Sequence, residues 1–375
     1  MASTSRAKNA SAMDMVPEPT LLPHGGDLSA ARRQFPGAAE PFIDLSTGIN
    51  PHPYPIPQLS PELFARLPQQ DALARLLSAA AEFYAAPSPA HVVAAPGTQI
   101  LLPAVATLVP RGRVRVLGPT YAEHLRVASL AGHDAGEASA LAELEDADLA
   151  VIVNPNNPDG RLLTRDALLG VADALRPRGG ILVVDEAFMD VAAAAASLAG
   201  NVARGNIVVL RSFGKFFGLA GLRLGFAIAA PATASRLAAW LGPWAVSAPA
   251  MAIGEAALAD IAWARATREM LHREAHRLDQ ALTGAGLAVV GGTALFRLVH
   301  TPAAGKLFDH LGRCGLLVRS FAEHPEWLRF GLPNDAQAWS RLSSALSTFP
   351  CPCGRTCVPR IAPMVNGVAP DKSDA

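Results

Sequence analysis

Short apolar runs recur through the middle of the chain. Each is closed by a polar or Gly/Pro turn and followed by a stretch with helical spacing. The runs are HVVAAPGTQ (91–99), VRVLGPTYAEH (114–124), LAVIVNPNNPDG (149–160), ILVVDEAFMD (181–190) and NIVVLRSFGK (206–215). Strands alternating with helices predict an α/β fold with a doubly wound, mostly parallel sheet. Ligands of such sheets bind beyond the carboxyl ends of the strands. The polar residues of all these strings fall at those ends, so their clustering follows from the fold.

The flanks read differently. HGGDLSAARRQFP (24–36) is a loop running into a short helix, with Asp27 as the expected N-cap. PFIDLSTGINPHPYPIP (41–57) carries five prolines and cannot be a central helix, so it reads as an extended arm. Asp71 is expected to cap a helix through Tyr84 that turns Leu73, Leu76, Leu77 and Ala80 to one face. Beyond about residue 230 the rhythm changes to a long Ala-rich helical region over 247–284. Three short strand patterns follow, LAVVGGTALFRLV (287–299), CGLLVRSF (314–321) and EWLRFGLP (326–333), and predict a smaller α+β domain. The expected organisation is a flexible start (1–23), an arm serving the small domain and the site (24–70), a large domain (71–245), a small domain (246–348) and a flexible Pro- and Cys-containing tail (349–375).

Composition narrows the class. With 375 residues, 50% hydrophobic, the chain can bury a large core, and its length favours two domains. Lys+Arg and Asp+Glu are both 32 and no basic run occurs, which argues against a nucleic-acid surface. The uncharged stretches 92–110 and 237–254 contain prolines and a glycine and read as buried elements, so no membrane span is expected. No secretory signal precedes residue 24. The cysteines are Cys314, Cys351, Cys353 and Cys357, a spacing unlike a disulfide framework, which points to a reducing, cytoplasmic compartment. Three close thiols without a nearby histidine fall short of a zinc set, so no metal is expected.

The candidate chemistry centres on LRSFGKFFGLAGLRLGF (210–226). Lys215 sits in an apolar, Gly-rich turn, where an ammonium is costly unless paired or neutralised. It could snorkel to the surface, or act as a desolvated amine that forms a Schiff base. Ser212 to Lys215 also spells S-x-x-K, but S-D-N and K-T-G are absent. G-x-G-x-x-G, a Walker A loop and H-E-x-x-H are absent too, which leaves a simple dehydrogenase, a nucleotide kinase and a metalloprotease poorly supported.

What remains, in chain order, is Gly97-Thr98-Gln99, Tyr121, Asn157, Asp185, Ser212, Lys215 and Arg223. Asp185 follows Asn157 by 28 residues, and Lys215 follows Asp185 by 30. With NPNNPDG, S-x-x-K and GLRLG, this set resembles the fold-type I pyridoxal-phosphate enzymes of the aspartate aminotransferase superfamily over roughly residues 24–345. The resemblance implies pyridoxal 5'-phosphate as cofactor and a homodimer with the site near its interface. It implies that Lys215 holds the cofactor and moves protons, and that Asp185 keeps the pyridinium nitrogen protonated. Tyr121 would stack on the ring and Asn157 would bond the ring hydroxyl oxygen. Gly97, Thr98 and Gln99, at a helix N-terminus, would cup the phosphate with Ser212 and Arg223. Phe188 stands where many aminotransferases have a tyrosine that touches the ring hydroxyl, so Asn157 must carry more of that contact.

The substrate grip decides the reaction. Arg319 and Arg329, both near predicted strand ends, are candidates. HGGDL (24–28), IDLSTGINPHPYP (43–55) and DEAFMD (185–190) resemble the threonine-phosphate decarboxylase family of cobalamin biosynthesis. That resemblance implies a small phosphorylated amino acid as substrate, gripped by His24, Gly25, Gly48, Asn157, Arg319 and Arg329. Histidinol-phosphate aminotransferases are the neighbouring alternative, though they typically carry N-E-N-P where this chain has Gly48-Ile49-Asn50-Pro51. A catalytically idle relative is a third reading, against which the intact Lys215, Asp185, Asn157 and Arg223 argue.

Overall fold

The computed structural model describes residues 24–349. The ends expected to be flexible, with Cys351, Cys353 and Cys357, lie outside the described residues. The strands are Ile43–Leu45 (β1), Val92–Ala95 (β2), Arg113–Leu117 (β3), Asp134–Ala138 (β4), Leu149–Val153 (β5) and Ile181–Asp185 (β6). They continue with Ile207–Ser212 (β7), Gly225–Ala229 (β8), Ala288–Thr293 (β9), Phe296–His300 (β10), Leu316–Ser320 (β11) and Trp327–Gly331 (β12).

Seven strands form one sheet in the order β2-β8-β7-β6-β5-β3-β4. The neighbours from β7 through to β4 run parallel, while β8 is antiparallel to both β7 and β2. Period-two alternation assigns the two faces. Ala150, Ile152, Leu182, Val184 and Val209 enter one core, whereas Leu149, Val151, Val183, Val208 and Leu210 enter the other. Burying each larger aliphatic side chain contributes about 1.5–3 kcal/mol, which is why these runs are apolar on both faces.

Two strands of this sheet were not legible in the pattern. Edge strand β4 reads DAGEA, with one residue fully buried, so it has no apolar run. Strand β8, all buried, follows directly on the GLAGLRLG turn. Asp71 does not cap its helix. The helix is Gln70–Phe83 with Gln69 at the N-cap, and Asp71 lies in the first turn, paired with Arg75 at 2.9 Å. Asp27 does cap Leu28–Gln34, accepting from Ala30 N at 2.8 Å. The Ala-rich stretch is two helices, Ala248–Ala259 and Ile261–Gly284. Asp260 separates them and caps the second by accepting from Trp263 N at 2.9 Å.

The second sheet runs β1-β11-β12-β10-β9, and its first member comes from the arm, parallel to β11. The arm then crosses to the Lys215 turn. Asn50 N donates to Lys215 O at 2.9 Å, Asn50 Nδ2 to Phe216 O at 2.8 Å and Tyr54 N to Phe217 O at 2.9 Å. One extended segment therefore joins the small sheet to the turn that carries the central amine. No helix among the described residues is long and apolar enough to cross a membrane.

Candidate active site

The site lies at the carboxyl ends of the parallel strands. Asp185 ends β6, in register with Val153 of β5 and Leu210 of β7. Ser212 ends β7, and the short helical turn Phe213–Phe216 that follows it presents Lys215. The Lys215 ammonium is buried and lies near Arg329 and Arg223. Burial first, then these cations, lower its pKa to about 8 against the opposing pull of Asp185 and Asp44. At pH 7 about a tenth of such an amine is neutral, against less than a thousandth of an ordinary lysine. Acetylation of Lys215 by an amine-reactive ester, followed by mass spectrometry, should therefore rise with pH and level off near 8. A rate still climbing at pH 10 would mean that the amine is not desolvated.

Asp185 is buried, and both of its oxygens are engaged. His124 Nε2 lies 2.9 Å from Oδ2, and Ala187 N donates to Oδ1 at 3.0 Å. His124 was not singled out in the sequence; its signal was its spacing of three from Tyr121 at the head of the helix Glu123–Leu130. Tyr121 packs edge-on against His124, with ring centroids 5.9 Å apart, and donates its hydroxyl to Gln99 Oε1 at 3.0 Å. Burial, then the nearby Glu123 and Asp185 carboxylates, push the Tyr121 phenol up to about 12, so it acts as a donor and a ring surface.

The Gly97 segment is a 3₁₀ turn, Thr98–Ile100, leading into the short helix Leu101–Ala106 rather than a helix N-terminus proper. Gly97 has φ +88, and a Cβ there would lie 2.5 Å from Arg223 Nη2, so only glycine lets the guanidinium reach the turn. Arg223 itself has φ +55, an uncommon conformation for arginine, which aims its side chain at this turn. Ser212 pairs with Gly225, whose Cβ position would sit 2.7 Å from Thr98 N. Gly97, Thr98, Ser212 and Arg223 thus converge on one concave, donor-rich corner.

The substrate candidates also converge. Arg329 is buried in the middle of β12, not near a strand end, and pairs in register with Arg319 of β11. Its Nη1 donates to Asn157 Oδ1, and its Nη2 to Ser46 O at 2.8 Å. Arg319 lies close enough to Tyr121 and Arg329 to act on both electrostatically, and its guanidinium stands 5.5 Å from the Phe321 ring. His24 lies beside Tyr121, ring centroids 5.8 Å apart, and 3.4 Å from Glu123 Oε1. Gly26 N donates to Ser46 Oγ at 2.8 Å, and a Cβ on Gly25 would lie 2.7 Å from Ser46 O. A Cβ on Gly48 would lie 2.9 Å from both Phe188 and Phe296, whose rings pack edge-on with centroids 5.1 Å apart. Ser46, Asp44 and Glu123 had no signal in the sequence, since each reads as an ordinary loop or surface residue.

A sheet of this order, with an amine, a carboxylate and an arginine cup at its strand ends, defines a class. The chain belongs to the aminotransferase class I and II family, whose model matches residues 40–338. It is 43% identical over 327 residues to a threonine-phosphate decarboxylase of a Sinorhizobium species, covering 86% of this chain and 97% of that one. A threonine-phosphate decarboxylase of Pseudomonas aeruginosa is 42% identical over 332 residues, 88% of this chain and 98% of that one. The solved histidinol-phosphate aminotransferase of Sinorhizobium meliloti, in complex with pyridoxal-5'-phosphate, has the same fold: TM-score 0.73, 22% identity, 89% of this chain and 96% of that one.

Proposed function

We propose that this chain catalyses the pyridoxal-phosphate-dependent decarboxylation of O-phospho-L-threonine to (R)-1-amino-2-propanol O-2-phosphate, the linker of the cobalamin nucleotide loop. The observation that carries the reading is the similarity, at 43% and 42% over nearly the whole length, to two relatives named threonine-phosphate decarboxylase.

The residues fit the cofactor. At this corner the missing side chain of Gly97 lets the Arg223 guanidinium reach the turn, where it would meet an anion. A buried carboxylate, Asp185, stands where a ring nitrogen needs a counter-charge, and Lys215 is an amine with a depressed pKa. When bound, pyridoxal phosphate supplies a protonated ring that accepts the electrons of a bond breaking at Cα. Lys215 Nζ would hold the cofactor and would be the group placed to return a proton at Cα. Asp185, braced by His124, keeps the ring nitrogen protonated. Tyr121 covers one face of the ring. Gly97, Thr98, Gln99, Ser212 and Arg223 hold the phosphate. Asn157 has its Oδ1 occupied by Arg329, so its Nδ2 is the atom left for the ring oxygen.

His24, the Gly25 and Gly48 backbone, Arg319 and Arg329 grip the substrate's phosphate and carboxylate together. That grip would orient the substrate so that its Cα–carboxylate bond, rather than Cα–H, is the one labilised. The reading includes a cytoplasmic homodimer. Trp244, 55% exposed, rims an apolar cleft of about 160 Å³ lined by Leu73, Leu77 and Met251.

The test is a product assay. O-Phospho-L-threonine alone is expected to release CO2 and give aminopropanol phosphate with no 2-oxoacid present. Unphosphorylated threonine is expected to show roughly 100-fold lower kcat/KM, because remote binding energy sets the reactive conformer. Amino exchange between histidinol phosphate and a 2-oxoacid, without CO2 from phosphothreonine, would replace this reading with the aminotransferase.

A further inference from the structure

Glu123 is a carboxylate with 2% exposure, and burying such a charge is costly unless every lone pair is met. Arg126 meets two, Nε to Oε1 at 2.9 Å and Nη2 to Oε2 at 2.6 Å. Gln99 Nε2 donates to Oε2 at 2.8 Å, and His24 Nε2 lies 3.4 Å from Oε1. Burial raises the Glu123 pKa, but Arg126, His24 and Gln99 outweigh it and hold the carboxyl below its usual range.

A bland reading makes this an i,i+3 surface pair at the head of a helix. The geometry is against it, since Glu123 is turned inward and its further partners come from two distant segments. Gln99, held by Glu123, accepts the Tyr121 hydroxyl at 3.0 Å. An unbroken polar chain therefore runs from His24 through Glu123 and Gln99 to Tyr121. It ties the amino-terminal loop to the ring-facing tyrosine and to the phosphate corner. The same loop is held from the other side by Gly26 N on Ser46 Oγ, and Ser46 O is bound by Arg329.

We propose that Glu123 is a positioning residue that docks the His24 loop against Tyr121 and Gln99, so that the loop and the cofactor-facing groups adopt one arrangement. The proposal rests on the reading of His24 as a substrate contact and of Tyr121 and Gln99 as cofactor contacts, and it adds the group that fixes them relative to each other.

The test is amide hydrogen exchange on the holoenzyme together with steady-state kinetics. Glu123→Gln keeps the side-chain shape but removes the charge. Exchange over residues 24–34 is expected to speed up about tenfold, with core strands unchanged, because only a local tie is loosened. His24→Leu cuts the same contact from the exposed end, where folding is not at stake. It should give the same acceleration, and the double variant no more than either single one. In both, KM for O-phospho-L-threonine should rise about tenfold with kcat within about threefold, the signature of lost binding rather than lost chemistry. Unchanged exchange in Glu123→Gln, or additive effects in the double variant, would overturn the proposal. Faster, non-additive exchange with an unchanged KM would uphold the tie and instead remove His24 from the substrate contacts.

Discussion

Lys215→Ala is expected to lower the turnover of O-phospho-L-threonine by more than about 10⁴-fold, the upper end of what one positioned proton donor supplies, since the covalent hold is lost as well. Among the described residues no other lysine lies at the site. The chain has four lysines, Lys8, Lys215, Lys306 and Lys372. Of the two within the described residues, Lys306 is exposed on the helix Ala304–Arg313 of the small sheet's layer. Cofactor should still bind, through Arg223, Ser212 and Asp185, but dialysis should remove it and borohydride should no longer fix it to the chain. Unfolding does not account for the loss, as the linkage shows. The folded-state pKa of Lys215, about 8, lies below its ordinary 10.5. Between those values the unfolded chain binds more protons, so this group makes stability rise with pH across that window. Below pH 8 its charged form works against the fold. Removing it should leave the thermal stability of the cofactor-free protein at pH 7 unchanged or higher. Turnover at the wild-type rate would reject Lys215 as the central amine.

Asp185→Asn should slow turnover by about 10³-fold, the scale of removing a preorganised charge from a site that excludes water. The change is nearly isosteric. An amide oxygen can still accept from Ala187 N, so the β6 end should keep its shape. What is lost is the negative charge that, in the proposed function, would keep the ring nitrogen protonated and the cofactor an electron sink. KM for the substrate should change little, because the proposed substrate grip is made by other residues, Arg319, Arg329 and His24. Kinetics and the absorbance of the bound cofactor check this together. An unchanged kcat with normal absorbance would move the electron-sink role away from Asp185. His124, 2.9 Å from Asp185 Oδ2, is expected to show a smaller loss in the same parameter when replaced by leucine.

Legibility in the sequence followed the physics of each element. The strands β5, β6 and β7 are apolar throughout because both faces of the sheet are covered. Strand β4 lies at the sheet's edge and needs no such run, so its DAGEA gives no strand signal. The arm was legible as extended, since prolines forbid a helix, but its pairing with β11 was not, because strand partners are set by tertiary contact. Asp71 looked like a cap by residue type, yet the helix starts one residue before it and uses it for an i,i+4 ion pair.

The sequence by itself determined the class of chemistry. In the proposed function a phosphate corner, a ring-oxygen partner and an amine need particular residue types at strand ends, and those types survive as local strings: GTQ, NPNNPDG, SFGK and GLRLG. Only the tertiary structure decided how those strings act on one another. The depressed pKa of Lys215 comes from burial, Arg329 and Arg223, and the contribution of Arg329 is one that no local string records. Arg329 meets Asn157 across 172 residues of chain. Glu123, an unremarkable acidic residue in the sequence, becomes a buried junction between His24 and Gln99 only when the arm folds back over the sheet. Charge and hydrogen bonding act through space over a few ångströms, and which groups come that close is settled by packing rather than by order along the chain.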